Sequence, residues 1–308
     1  AMSRHLAVRL FSFAFVIFVI GSYVIVAQNP ITGDWKADTK SEDSDNVQIS
    51  PDKISMSFEI RTEKGGMNRH GSIFSYSDFQ GLSRDQVQNG RVSFSLVREA
   101  GTIQCEGSFT NGKGAGTFTF TPNYSFADAM RSRGFDFSKP SKHGPADLDT
   151  RLFTATTLNV TTTFADELKS ANFGILDVDD LFKAVIFKIS PQFMAEMKAT
   201  GFPALGMEEL VKARIFKIDA DYVRQVRETG LASQDFESLV KFRIFKVTPE
   251  FLNELKAVGI SSLSSEDIVK FRIFKIDPQF IREARATEPN ITVEQLVQMK
   301  IGVRGKGR

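Results

Sequence analysis

One cysteine and three histidines stand in 308 residues. A single thiol, Cys105, rules out an intrachain disulfide framework, and its strand phase, shared with Ile103 and Phe109, makes it a small buried hydrophobe. The histidines are scattered at His5, His70 and His143, none with a second histidine or a cysteine at ligand spacing, so no metal centre is expected. HExxH, Gly-x-Ser-x-Gly and phosphate-binding glycine loops are missing too. The chain is therefore expected not to be an enzyme, and neither catalytic residues nor a cofactor are assigned. An excess of one charge is also lacking: 39 Lys plus Arg oppose 37 Asp plus Glu, which leaves no global field to draw nucleic acid.

What the chain has is repetition. Between Thr161 and Ile276 one phrase recurs four times with a period of 29 residues: a Thr, Ser or Asp, then a Phe or Tyr three residues on, and a closing Ile-Phe-Lys-Ile or Ile-Phe-Lys-Val. Copies start at Thr161, Ser190, Asp219 and Thr248; a further one starts at Asp277, and a degenerate one runs from Asn123 to Val160. Six tandem units result. Fixed-period similarity marks an array whose small units bury their apolar faces by stacking on one another.

The unit from Ser190 gives the local structure. Ser190 and Pro191 are an N-cap and a first-turn proline; Phe193, Met194 and Met197 follow at helical spacing; Gly201 stands where a left-handed helix terminus is wanted. After Pro203, the acidic pair Glu208 and Glu209 opens a second helix with Leu210, Val211 and Ile215 as its buried stripe and Lys212, Arg214 and Lys217 late in it. Each helix is about ten residues, too short to persist alone, so stacking is compulsory. Between the halves of the first unit, Asp136 to Asp149 reads as a flexible surface loop.

From Ile31 to Thr121 the period changes to two. Ile54, Met56, Phe58 and Ile60 alternate with polar residues, as do Val92, Phe94 and Leu96, and Phe118 and Phe120. Turn residues at 64–66, 89–90, 100–101 and 111–114 separate five to six antiparallel strands in meander order, a small barrel or sandwich, with one helical turn from Leu82 to Val87 capped by Ser83. Gly33-Asp34-Trp35 resembles the Gly-x-Trp on the first strand of lipocalin-type barrels. That resemblance implies an alternative role, a small-ligand or lipid carrier with a cavity lined by Trp35, Phe58, Phe94 and Phe118, although about ninety residues suit a filled core better.

Ahead of this region, Arg4, His5 and Arg9 precede an uncharged run from Leu10 to Ala27. It reads as an export signal cleaved after Ala27, or as an inner-membrane anchor if retained. Either places the rest outside the cytoplasm, periplasmic or secreted. The expected domains are thus 1–27, signal or anchor; 28–122, antiparallel β domain; 123–305, α-solenoid of six helix-turn-helix repeats; and 306–308, basic tail. The fold class is α+β.

Two periodic surfaces stand out. Lys183 and Lys188; Lys212, Arg214 and Lys217; Lys241, Arg243 and Lys246; and Lys270, Arg272 and Lys275 recur with the repeat, which aligns them into a basic ladder. It can face a protein or an anionic envelope component, or it can complement helix dipoles and bridge to acids of the next unit. Phe187, Phe216, Phe245 and Phe274, with Gly302 in their place in the last unit, read as inter-repeat core. The acidic pairs Asp179 with Asp180, Glu208 with Glu209, and Glu266 with Asp267 recur at one helix start and read as first-turn carboxylates rather than catalytic dyads.

Units such as TPEFLNELKAVGI with SSEDIVKFRIF resemble the tandem helical repeats at the C-termini of beta-lactam-sensing antirepressor metallopeptidases and of exported bacterial proteins of unassigned role. In those relatives the second helix often ends in Ile-His-Gly-Val; here Phe-Lys replaces His-Gly in four internal units, while Ile301-Gly302-Val303 keeps the glycine. The peptidase domain is absent, so no proteolysis is implied. The expectation is an exported, non-enzymatic envelope protein that binds or scaffolds through its repeats, with membrane contact only through the N-terminal segment. A second alternative is a sensor or regulatory subunit of an envelope protease or signalling system.

Overall fold

The computed structural model describes residues 30–40, 49–61, 67–140, 147–202, 205–231, 235–260 and 263–302. The expected signal at 1–27 and the tail at 306–308 lie outside them. Among the described residues no helix is long and apolar enough to cross a membrane. From Ile31 on, sheet and helices form one compact α+β unit.

Among the described residues seven strands, not five to six, make the sheet: β1 (Ile31–Asp38), β2 (Lys53–Arg61), β3 (Met67–Ser75), β4 (Phe79–Gln80), β5 (Asn89–Arg98), β6 (Gly101–Thr110) and β7 (Lys113–Pro122). Their order is β3-β2-β1-β7-β6-β5-β4, all antiparallel. Each strand pairs with its sequence neighbour, β1 closes on β7, and the gap lies between β3 and β4. The sheet is therefore a meander curled into a half-barrel and left open at one seam. A 3-10 turn at Tyr76–Asp78 spans that seam, and the rings of Phe74 and Phe79 flank it at 5.4 Å. The expected helical turn at Leu82–Val87 is instead a non-helical turn in which the Ser83 N–H donates to Gln86 Oε1 at 2.8 Å. Asn89 and Gly90 open β5 rather than forming a turn, and the β5–β6 turn is Glu99-Ala100. Asn111 and Gly112, at φ 52° and 82°, make the β6–β7 hairpin turn that needs two left-handed residues.

The alternating apolar residues do face one core. Ile54, Met56, Phe58, Val92, Phe94, Leu96, Ile103, Cys105, Phe109, Phe118 and Phe120 are buried. Trp35 is fully buried, with its Nε1–H donating to the Glu106 carbonyl at 3.1 Å. Its indole lies against a glycine pair: a Cβ on Gly107 would stand 2.6 Å from the Trp35 ring, and one on Gly116 2.7 Å from its Nε1. Only glycine at both partners of that rung admits the ring.

Twelve helices follow among the described residues: α1 (Tyr124–Ser132), α2 (Leu148–Leu158), α3 (Thr162–Ser170), α4 (Val178–Ile186), α5 (Pro191–Ala199), α6 (Met207–Ile215), α7 (Ala220–Thr229), α8 (Phe236–Ile244), α9 (Pro249–Ala257), α10 (Ser265–Ile273), α11 (Pro278–Thr287) and α12 (Val293–Lys300). Odd helices from α1 to α9 pack each on the next odd one, and even helices from α2 to α12 each on the next even one. The caps fall where the sequence places them: Thr161, Ser190, Asp219, Thr248 and Asp277 accept from the N–H three residues on.

The first helices join the sheet. Helix α2 packs on β3, β6 and β7. Its Phe153 enters the concave face, stacked on Phe118 at 5.4 Å and edge-on to Phe58, Phe120 and His70. At the β5–β6 turn, Glu99 accepts from the Thr162 N–H at 2.9 Å and so caps α3. The loop between α1 and α2 is anchored at its start: Phe135 and Phe137 are buried, and the buried Arg151 donates to the carbonyls of Phe137 and Lys139. That part is not the surface loop expected; residues 141–146 lie outside the described set.

Candidate functional site

The two helix ends of a unit close differently. The first helices of the first five units end on left-handed Gly134, Asn172, Gly201, Gly230 and Gly259, as glycine and asparagine are expected to do, while α11 ends on Glu288 at φ −134°. Second helices of the four internal units end on left-handed lysines: Lys188, Lys217, Lys246 and Lys275, at φ 53° to 56°. Lys217 therefore lies beyond its helix rather than late in it. The Ile189 N–H donates to the Ala184 carbonyl at 2.8 Å and the Lys188 N–H to Val185 at 3.2 Å, the double closure of a Schellman terminus. The same pairs recur at Ile218, Val247 and Ile276. In the outer units Asn159 and Gly302 hold this place. Gly302 thus replaces the lysine; Ile301 stands where the internal units have phenylalanine.

The basic ladder separates into three sets. Lys183, Lys212 and Lys241 cross to the first turn of the next even helix, bonding Glu208, Glu237 (2.5 Å) and Glu266 (3.2 Å), while Lys270 turns to Asp267 within its own helix. Arg151 to Asp179 at 3.0 Å begins the series. The acidic pairs divide accordingly. One member reaches back to the preceding unit, and the other, Asp180 or Glu209, accepts from the N-cap N–H. Asp267 accepts from the Ser264 hydroxyl.

The arginines form the second set. Arg214 and Arg243 donate to the carbonyls of Lys188 and Lys217 at 2.7 and 2.6 Å, and Arg272 to Phe245 at 3.4 Å, each capping the preceding even helix. Their guanidinium groups lie over Phe193, Tyr222 and Phe251 at 3.8, 3.6 and 4.8 Å. Odd helices repeat the device, with Lys198, Arg227, Lys256 and Arg285 donating to the carbonyls of Asn172, Thr200, Thr229 and Val258. A cation late in one helix thus meets the orphan carbonyls and negative dipole end of the helix one unit back. Most of the ladder holds the units together.

Lys188, Lys217, Lys246 and Lys275 are the third set. All are exposed, and their amino groups make no hydrogen bond or ion pair to a described residue. Two positions before each stands an exposed isoleucine: Ile186 at 54%, Ile215 at 54%, Ile244 at 51% and Ile273 at 49%. This corrects the expectation that Ile215 is part of the buried stripe; Leu210, Val211 and Ala213 fill that face. The intervening Phe187, Phe216 and Phe274 rest one side on the core, and Phe245 is 37% exposed, so the ladder of phenylalanines is half surface rather than core. The edge Ile-Phe-Lys was legible as a repeated phrase, but the sequence reading assigned its first two residues to the interior.

Elsewhere the described residues offer little chemistry. No group of His, Cys, Asp and Glu among them could hold a metal ion. Cys105 is buried, which pushes its thiol up to about 12. Burial also lowers His70 below the ordinary histidine value. Of the expected cavity lining, Trp35 packs on Phe94 at 5.2 Å and Phe58 on Phe118 at 5.4 Å, and Phe58 and Phe118 also pack on Phe153. No protein-family model and no curated protein matches the chain.

Proposed function

We propose that this is an exported, non-enzymatic envelope protein whose helices form an α-solenoid of six repeats, and that it binds or scaffolds an anionic partner along the Ile-Phe-Lys edge. The half-barrel closes the N-terminal end of the array through α2 and Phe153. The observation that carries the reading is the division of the basic residues. Lys183, Lys212, Lys241 and the three arginines lock one unit to its neighbour and Lys270 pairs within its own helix, whereas Lys188, Lys217, Lys246 and Lys275 are exposed beside exposed isoleucines. Packed helices lie about 8–10 Å apart, so stacked units would present the same three side chains at regular intervals. Recognition would be a matter of surface complementarity, with lysines supplying attraction and isoleucines the desolvated contact.

The test is capture from a bacterial envelope extract by the full chain, beside a variant with all four edge lysines changed to Gln. Retention by the full chain, release by salt and loss in the variant are expected. A partner retained equally by both proteins would contradict the reading.

A further inference from the structure

We propose that the Ile-Phe-Lys edge seats on an anionic lipid surface, an inference that rests on the array reading and names the partner class for it. Four features converge on the same positions. At each internal unit an aliphatic side chain, a half-exposed ring and an ammonium with no partner among the described residues stand in consecutive places, Ile244, Phe245 and Lys246 being one set. The lysine holds a left-handed backbone that glycine takes with less strain, and Gly302 or Asn159 takes it where the edge phrase is absent. Backbone strain kept at recurring positions is a pointer to function. Left-handed lysine and an exposed isoleucine two places before it occur together in the four internal units; the outer ones read Thr157-Leu158-Asn159 and Lys300-Ile301-Gly302, where Asn159 or Gly302 stands in place of the lysine and Ile301, 53% exposed, in place of the phenylalanine.

The chemistry selects among occupants. A second copy docking edge to edge would set one lysine row against another. A soluble polyanion would reward the lysines and leave the isoleucines in water. Identical rungs suit a partner that is uniform along its length, whereas a folded acidic protein would have to repeat its own surface at the same interval. An anionic bilayer satisfies all three side chains: isoleucine and phenylalanine enter the boundary between headgroups and acyl chains, and lysine meets phosphate at the surface.

The experiment uses the full chain with Ile244→Cys carrying an environment-sensitive fluorophore. Cys105 is buried with its thiol pushed up to about 12, so labelling falls on the introduced cysteine. Glu196→Cys, on an odd helix, is the control site. Vesicles of equal parts phosphatidylglycerol and phosphatidylcholine are compared with vesicles of phosphatidylcholine alone. The expected result is a blue shift and quenching by nitroxide lipid at position 244 on the anionic vesicles only, with no change at 196. Changing the four lysines to Gln should weaken this signal roughly fivefold per charge. A probe at 244 that stays in water on anionic vesicles, even where the protein sediments with them, overturns the lipid assignment. If that same probe is then shielded by a protein captured from the envelope, the edge stands as a contact surface with a different occupant; if neither shields it, the array reading fails as well.

Discussion

The Arg214 guanidinium donates to the carbonyl of Lys188, one unit back, at 2.7 Å, while lying 3.8 Å over the ring of Phe193. One side chain thus caps a preceding helix and covers an aromatic of its own unit. Arg243 repeats this on Lys217 and Tyr222.

Arg243→Ala should lower stability by about 2–4 kcal/mol, the sum of a charge-assisted hydrogen bond and a cation–π contact. Arg243→Lys should recover only part, because a point charge cannot meet the carbonyl and cover the ring together. Urea midpoints measure both. Equal midpoints for wild type and Arg243→Ala would remove the stapling role.

At Lys217 the left-handed backbone makes glycine the better residue. Lys217→Gly should raise the melting temperature, by up to about 1 kcal/mol in stability, since relief of strain outweighs the added unfolded-state entropy. Gly201→Ala should do the reverse at a φ of 78°. A lowered melting temperature for Lys217→Gly would mean that the lysine side chain contributes to folding after all.

Phe153 fills the concave face of the half-barrel against four rings. Phe153→Ala should cost about 3–5 kcal/mol, and Phe153→Leu clearly less. If loss of the ring left stability unchanged, the helices would not depend on the sheet for their first contact.

Acidification should weaken the array through its N-caps. Hydrogen bonds from Ser238, backbone first and then hydroxyl, hold the Asp235 carboxyl below the ordinary aspartate value of 3.8. A lowered folded-state value means that the cap is fully effective above the unfolded value and is lost as pH falls through the folded one. Stability should therefore be flat above the ordinary aspartate range and decline below it, and Asp235→Asn should flatten part of that decline. Denaturation followed against pH checks the sign.

Helix positions were legible because each carries its own punctuation. Ser190 with Pro191, and Gly201, mark one helix with residues whose backbone or side-chain chemistry fits no other place. The buried strand faces were legible from alternation. The edge was not, because Ile215 and Phe216 satisfy a helical apolar pattern whether or not anything covers them, and exposure depends on how units stack. The left-handed lysines were hidden for a related reason: Lys has no sequence bias toward that conformation, and only its place between Ala213 and the buried Ile218 produces the closure. The half-barrel's open seam was beyond reach as well, since Phe79–Gln80 is too short to read as a strand.

The surface that the partner covers decides whether the Ile-Phe-Lys edge is the binding site. Hydrogen exchange of the full chain, free and with the partner it captures, measures this most directly. Protection confined to 184–189, 213–218, 242–247 and 271–276 is the predicted result. Protection on the odd helices or the sheet, with those four segments exchanging as in the free protein, would contradict it.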